Sequence, residues 1–230
     1  MGEKLYTFKM KREGKDRRFF RVEHAELTED LDELIKTSAF QIVHWHPRYL
    51  LGGPGVPDPD AIDLEEIEAW NGKPFPLYML DHSGISLSLS PFADRWDSGQ
   101  VGYIFMKASN FVDERGENRI VLEAEQRKHA EAFIEYINCA LVGEIYGYDI
   151  VRKHACTHCG SSTEEWDDGC GGFIGALDEK LLASMLWTQN LSAEDFAEGQ
   201  REKHDILDKA LTIVEMQRAE SEAKQPQDPE

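Results

Sequence analysis

His44, His46, Asp81, His82, Asp94 and Asp97 form a first set of side chains able to hold a metal ion or move a proton. Imidazole nitrogen and carboxylate oxygen suit zinc, manganese or iron. On a strand, His44-Trp45-His46 puts both rings on one face, because side chains alternate with period two. With Asp81 and His82 this set predicts a metal-dependent hydrolase or nuclease, in which the ion would activate water. A second reading makes the carboxylates turn residues. Asp81-His-Ser-Gly84 and Trp96-Asp-Ser-Gly99 each couple a short oxygen-bearing side chain to a glycine able to take positive φ. Ser83 and Ser98 lie outside a Gly-x-Ser-x-Gly elbow, which argues against a serine nucleophile.

A second group is His154-Ala-Cys156-Thr-His158-Cys159, followed by Cys170. Cys-x-x-Cys turns two thiolates toward a common point, and Cys170 with His154 or His158 would complete a tetrahedral shell. Four protein ligands leave no open position, so this zinc is expected to be structural. Redox use of the pair lacks a thioredoxin-like βαβ context, and reduced thiols without metal are the plain alternative. Cys139 falls on an apolar helical stripe and reads as packing.

Charge is the third signal. The 230 residues hold 25 Lys+Arg against 44 Asp+Glu, a formal net charge of -19. That excludes a general affinity for nucleic acid or anionic membrane and favours cationic partners. The acids crowd at Asp30, Asp32 and Glu33, at Asp60, Glu65, Glu66 and Glu68, and at Glu164, Glu165, Asp167 and Asp168. Residues 1–24 run the other way, with eight Lys/Arg, and Phe19 and Phe20 there offer stacking surfaces. Such a segment would contact nucleic acid, or the acidic body of a second copy in a homodimer.

These groups need a scaffold, and 41% hydrophobic residues suffice for a buried core. The chain contains no apolar run long enough to span a membrane, and its polar, basic N-terminus lacks the apolar core of a signal peptide, so a cytoplasmic protein is expected. An N-terminal hairpin turns at 13–16, Thr28 caps a short helix to Lys36, and 40–43 is a strand entering the histidines. The Gly- and Pro-rich 51–59 is an extended loop, and a second helix runs from Asp63 to Trp70. Strands at 76–80, 85–90 and 101–106 form a meander. Apolar residues at spacings of three and four predict a long helix over 122–142, covering the sheet. A strand at 145–151, the Cys/His insertion and a short strand at 172–175 follow. Last come a helix over 178–187 and a final helix opened by a capping box at Ser192 and Asp195. The expected class is α+β: an antiparallel β-meander packed by a long central helix, with a helical C-terminal extension. The expected divisions are a basic N-terminal hairpin or arm at 1–24, an α+β core at 25–176, C-terminal helices at 177–220 and a disordered tail at 221–230.

Several strings in this order, His44-Trp-His-Pro-Arg-Tyr-Leu-Leu-Gly52, Tyr78-Met-Leu-Asp-His-Ser-Gly-Ile85, Ser90-Pro-Phe92, Trp96-Asp-Ser-Gly-Gln-Val-Gly-Tyr-Ile104 and Cys170-Gly-Gly-Phe-Ile-Gly175, resemble an uncharacterised family of phage, prophage and conjugative-element proteins. The resemblance covers about residues 40–175. It departs from the pattern at Gly169, Ile174 and Asp94-Arg95, where that family has serine, an aromatic and Cys-Pro. It implies a mobile-element protein and carries no residue roles. Taken with the charge, it leads to an expected inhibitor of a bacterial defence system, CRISPR or restriction, acting through an acidic, DNA-mimicking surface on a basic host complex. The metal hydrolase and a structural or regulatory accessory protein are the alternatives.

Overall fold

The computed structural model describes residues 4–27, 30–53, 55–111 and 121–224. In chain order its elements are β1 (Lys4–Lys9), β2 (Arg17–His24), α1 (Leu31–Thr37), β3 (Phe40–His44), α2 (Leu64–Trp70), β4 (Phe75–Asp81), β5 (Ile85–Ser88), β6 (Ser98–Met106), α3 (Glu123–Leu141), β7 (Ile145–Ala155), β8 (Ser162–Ile174), α4 (Glu179–Thr188), α5 (Gln200–Lys203) and α6 (Asp205–Lys224). The class is α+β, with two antiparallel sheets and C-terminal helices. No helix among the described residues is long and apolar enough to cross a membrane.

The chain divides into two units, residues 27–143 and residues 1–26 with 144–230. This division differs from the expected arm, core and extension. The basic N-terminal segment forms the expected hairpin, but it is part of a larger sheet rather than a separate arm: β2 pairs along its length with β7, in the order β1-β2-β7-β8. Its apolar residues explain why. Phe8, Phe20 and Val22 alternate onto one face and are fully buried against Leu182 and Met185 of α4 and Leu207 and Leu211 of α6. Phe20 stacks on Tyr148 at 4.9 Å. Burying each such side chain stabilises the unit by about 1.5–3 kcal/mol. The helix α6 continues to Lys224, past the expected end at 220, and residues from 225 onward lie outside the described set. The capping box forms, with Asp195 accepting from the Ser192 amide at 2.7 Å, but it opens a single helical turn, and the long helix starts ten residues later.

The other unit holds a sheet of order β3-β6-β4-β5. The expected meander is therefore rearranged, because β6 returns to the free side of β4 rather than to β5. Ala130, Ile134 and Ile137 of α3 cover this sheet, packing with Leu77, Leu87 and Ile104 as the periodicity predicts. The helix α1 is capped by Asp30, whose carboxylate accepts from the Asp32 amide; the expected cap Thr28, and Glu29, lie outside the described residues. Asp63 caps α2 by accepting from the Glu66 amide at 2.9 Å. The loop after β3 lies along that edge strand, where the Val56 amide donates to the His44 carbonyl at 2.7 Å.

Candidate functional site

The His/Asp set does not converge. The strand β3 ends at His44, so His46 falls in the turn beyond it and the period-two argument no longer places both rings together. His44 is 2% exposed, with Gly55 of the following loop against its ring. Burial holds its imidazole below the usual range, and neither ring nitrogen makes a hydrogen bond among the described residues. His46 stacks on Tyr49 at 4.8 Å. Asp81 is occupied by a cation: Arg48 donates to it at 2.5 Å and the Tyr49 hydroxyl at 3.1 Å. His82 pairs with Asp97 at 2.7 Å. The turn amides fall to Asp94 instead, which accepts from Trp96 at 2.8 Å and Asp97 at 3.2 Å. Gly84 takes a positive φ as expected, whereas Gly99 is a strand residue of β6. His46, Arg48, Asp81, Trp96 and Asp97 line a shallow depression of about 320 Å³. Its donors are spent on one another, and among the described residues no three His, Cys, Asp or Glu groups are placed to share an ion.

The Cys/His insertion is a long hairpin. Residues 145–155 and 162–174 pair antiparallel, so Cys156 and Cys159 sit in the exposed tip, while Cys170 lies opposite Tyr148. Seven residues of strand separate that position from Ala155, roughly 23 Å. His154 is held between Asp16 at 2.9 Å and Glu165 at 3.0 Å, with both ring nitrogens engaged and its imidazole pushed up, chiefly by Glu165. The tip therefore offers two thiols and the His158 imidazole, and not the four ligands expected from Cys156, Cys159, Cys170 and His154. The spacing of Cys170 misled because eight of the ten residues after Cys159 belong to a strand rather than a return loop. Hydrogen bonding from Ser161, with a contribution from Cys156, brings the Cys159 thiol down to about 7. Under dilute iodoacetamide Cys159 should be alkylated with a half-maximal rate near pH 7, and Ser161→Ala should move that profile upward. Peptide mass spectrometry across pH reads both; an unchanged profile in the variant would remove Ser161 from this account.

Glu164, Glu165 and Asp167 of β8 have basic partners within their own unit, whereas Asp168 is bonded to a neutral one. Arg21 donates both terminal nitrogens to the two oxygens of Glu164 at 2.8 Å, and Lys153 lies 3.6 Å away. Asp167 takes Arg152 at 3.0 Å and Arg18 at 3.2 Å, and Asp168 accepts from Gln189 at 3.0 Å. Arg21 holds the Glu164 carboxyl at about 2. Because the folded pKa is depressed, the pair's stabilisation is present above the ordinary value near 4.5 and is lost as pH falls toward 2. Glu164 is one-third exposed, so solvent screens the pair, and Glu164→Gln should cost about 1–2 kcal/mol at pH 7. Urea unfolding at pH 7 and pH 3 checks this: the gap between wild type and variant should shrink at the lower pH.

The remaining acids behave differently. Asp32 is paired with Lys36 at 2.5 Å. Asp58, Asp60, Asp63, Glu65, Glu66 and Glu68 are all exposed, and no ion pair joins them to a cation among the described residues. They surround α2, which buries none of its residues and ends on Trp70 at 75% exposure. Beside it Val43, Val56, Ile62, Ile67, Trp70 and Phe105 line a groove of about 360 Å³, with Asp63 and Glu66 in its walls. No family model matches the chain, and no curated protein or solved structure does. Function therefore has to be argued from this surface. Trp70 and the groove were not singled out from the sequence. The available signal was an aromatic residue closing an acidic helix just before Asn71-Gly72.

Proposed function

We propose that the chain is a mobile-element protein that binds the cationic DNA groove of a bacterial defence nuclease, of the restriction or CRISPR type, through the acidic surface around α2. The observation that carries this reading is the set of six unpaired carboxylates between Asp58 and Glu68 grouped about an exposed Trp70 and an apolar groove. Carboxylates with no cationic partner in the protein keep most of their attraction for a basic surface and accelerate its encounter. A tryptophan beside an apolar groove supplies the desolvated anchor that charge alone lacks. The resemblance of residues 40–175 to mobile-element proteins supports the choice of target class. The contact is made by α2 and not by β8, whose Glu164 and Asp167 are already matched by Arg18, Arg21 and Arg152.

The test is displacement of labelled DNA from purified restriction and RNA-guided nucleases by the wild-type protein and by a His44→Ala/His46→Ala variant. The reading requires stoichiometric displacement from at least one nuclease, weakening with salt and retained by the folded double variant. Degradation of the DNA by the protein alone, lost in that variant, would favour the metal hydrolase instead.

A further inference from the structure

The largest departure from the protein's acidic character is a cleft of about 490 Å³ at the end of β1 and β2. Lys9, Lys11, Arg12, Arg17 and Phe19 line it, with one carboxylate, Glu198, in its walls. Between residues 4 and 21 the chain holds eight Lys/Arg against Glu13 and Asp16. Two of those cations are spent inside the unit, Arg18 on Asp167 and Arg21 on Glu164. Lys9, Lys11, Arg12 and Arg17 are exposed and make no ion pair among the described residues. The walls are fixed by backbone bonds rather than by the cationic side chains. The Lys11 amide donates to the Asp195 carbonyl at 2.8 Å, the Ala197 amide to the Lys9 carbonyl at 3.0 Å, and the Lys9 amide to the Gln200 side chain at 2.8 Å. The positive charges are thus free for a ligand.

We infer that this cleft binds single-stranded nucleic acid, with phosphates on Lys9, Lys11, Arg12 and Arg17 and a base stacked on Phe19. Two features favour a single strand over other polyanions. Phe19 lies directly opposite Lys9 in the strand register and is half-buried, so a ring and a cation are presented side by side. The volume suits roughly one or two nucleotides. An acidic peptide would meet the cations and leave the ring unused, and a duplex keeps its bases stacked on each other, away from a protein ring. The net charge of -19 does not forbid this binding. Exposed charges farther than about 8 Å are largely screened at physiological ionic strength, so the four nearby cations dominate locally. This inference is independent of the acidic surface around α2.

Fluorescence anisotropy of a labelled oligodeoxythymidylate tests it on the full chain, across a potassium chloride series. Neutralising three or four phosphates implies a slope of log K against log salt of about -2 to -3. Lys11→Glu/Arg12→Glu/Arg17→Glu should weaken binding by about a hundredfold, and Phe19→Ala by about tenfold, through the lost stacking. These side chains lie outside the core, and an unchanged far-ultraviolet spectrum and melting temperature would show that the variants fold. Glu65→Gln/Glu66→Gln should leave binding unchanged. Equal affinity for a duplex of the same length, full competition by polyglutamate, or wild-type binding by Phe19→Ala would each overturn the proposal.

Discussion

Replacing Glu65, Glu66 and Glu68 by glutamine and Trp70 by alanine should raise the concentration needed to displace DNA from the inhibited nuclease by about a hundredfold. The tryptophan accounts for the larger share. A buried aromatic anchor at an interface contributes at least about 2 kcal/mol, equivalent to some thirtyfold, and each rim carboxylate adds a few tenths. The charge component should show as a slower association rate and a flatter salt dependence, whereas Trp70→Ala alone should act mainly on dissociation. All four residues are exposed, and the half-buried residues of α2, Leu64 and Ile67, are left in place, so the variant should unfold at the same urea concentration as wild type. A Glu164→Gln/Glu165→Gln variant supplies the control. It removes charge from β8 without touching α2, and displacement should stay within about twofold of wild type. Loss of displacement in the β8 variant would move the contact to the other unit.

Gly53→Ala should be the most damaging glycine-to-alanine substitution among the described residues of 27–143. A methyl group at that position would stand 1.5 Å from the carbonyl oxygen of Ile42, a backbone atom of β3 that is itself fixed by pairing with β6. Neither neighbour can yield without breaking the edge of the sheet. The loop would have to lift, which would uncover Leu51, now 3% exposed, and His44 beneath it. A cost above about 3 kcal/mol follows from the lost burial and the broken contact between the Val56 amide and the His44 carbonyl. Urea unfolding measures it. A loss below about 1 kcal/mol would mean that the loop is not clamped on β3. Lifting the loop would also expose an imidazole that burial now keeps below its usual range. At pH 5.5 the variant should therefore lose less further stability than wild type, because its His44 can protonate without unfolding.

Local patterns in the sequence were a good guide to elements and a poor one to partners. The long helix over 123–141, the short helix ending at Trp70 and the N-terminal hairpin follow from periodicity and turn chemistry, and all are present. Strand order was not legible. Nothing local tells β6 to join β4 on the side away from β5, and nothing local tells β2 to pair with a strand more than a hundred residues later. The same limit governed the site. His44-Trp45-His46 was read as one strand, but the strand stops at the first histidine, and burial of that ring comes from a loop whose path depends on Gly53. The Cys/His cluster was read as a return loop, whereas its intervening residues alternate along an edge strand that carries Cys170 away from the tip. Acidity itself was legible, but which acids are free was not. Glu164, Glu165 and Asp167 look in sequence like Glu65, Glu66 and Glu68; their difference is that Arg21, His154 and Arg152 stand opposite them across β7 and β2.

Hydrogen exchange of the protein with and without an inhibited nuclease tests the central claim most directly. Protection confined to peptides spanning 58–71, with the β8 peptides exchanging as in the free protein, is the result expected if the unpaired carboxylates and Trp70 form the contact. Protection of residues 162–170 with 58–71 unaffected would contradict it.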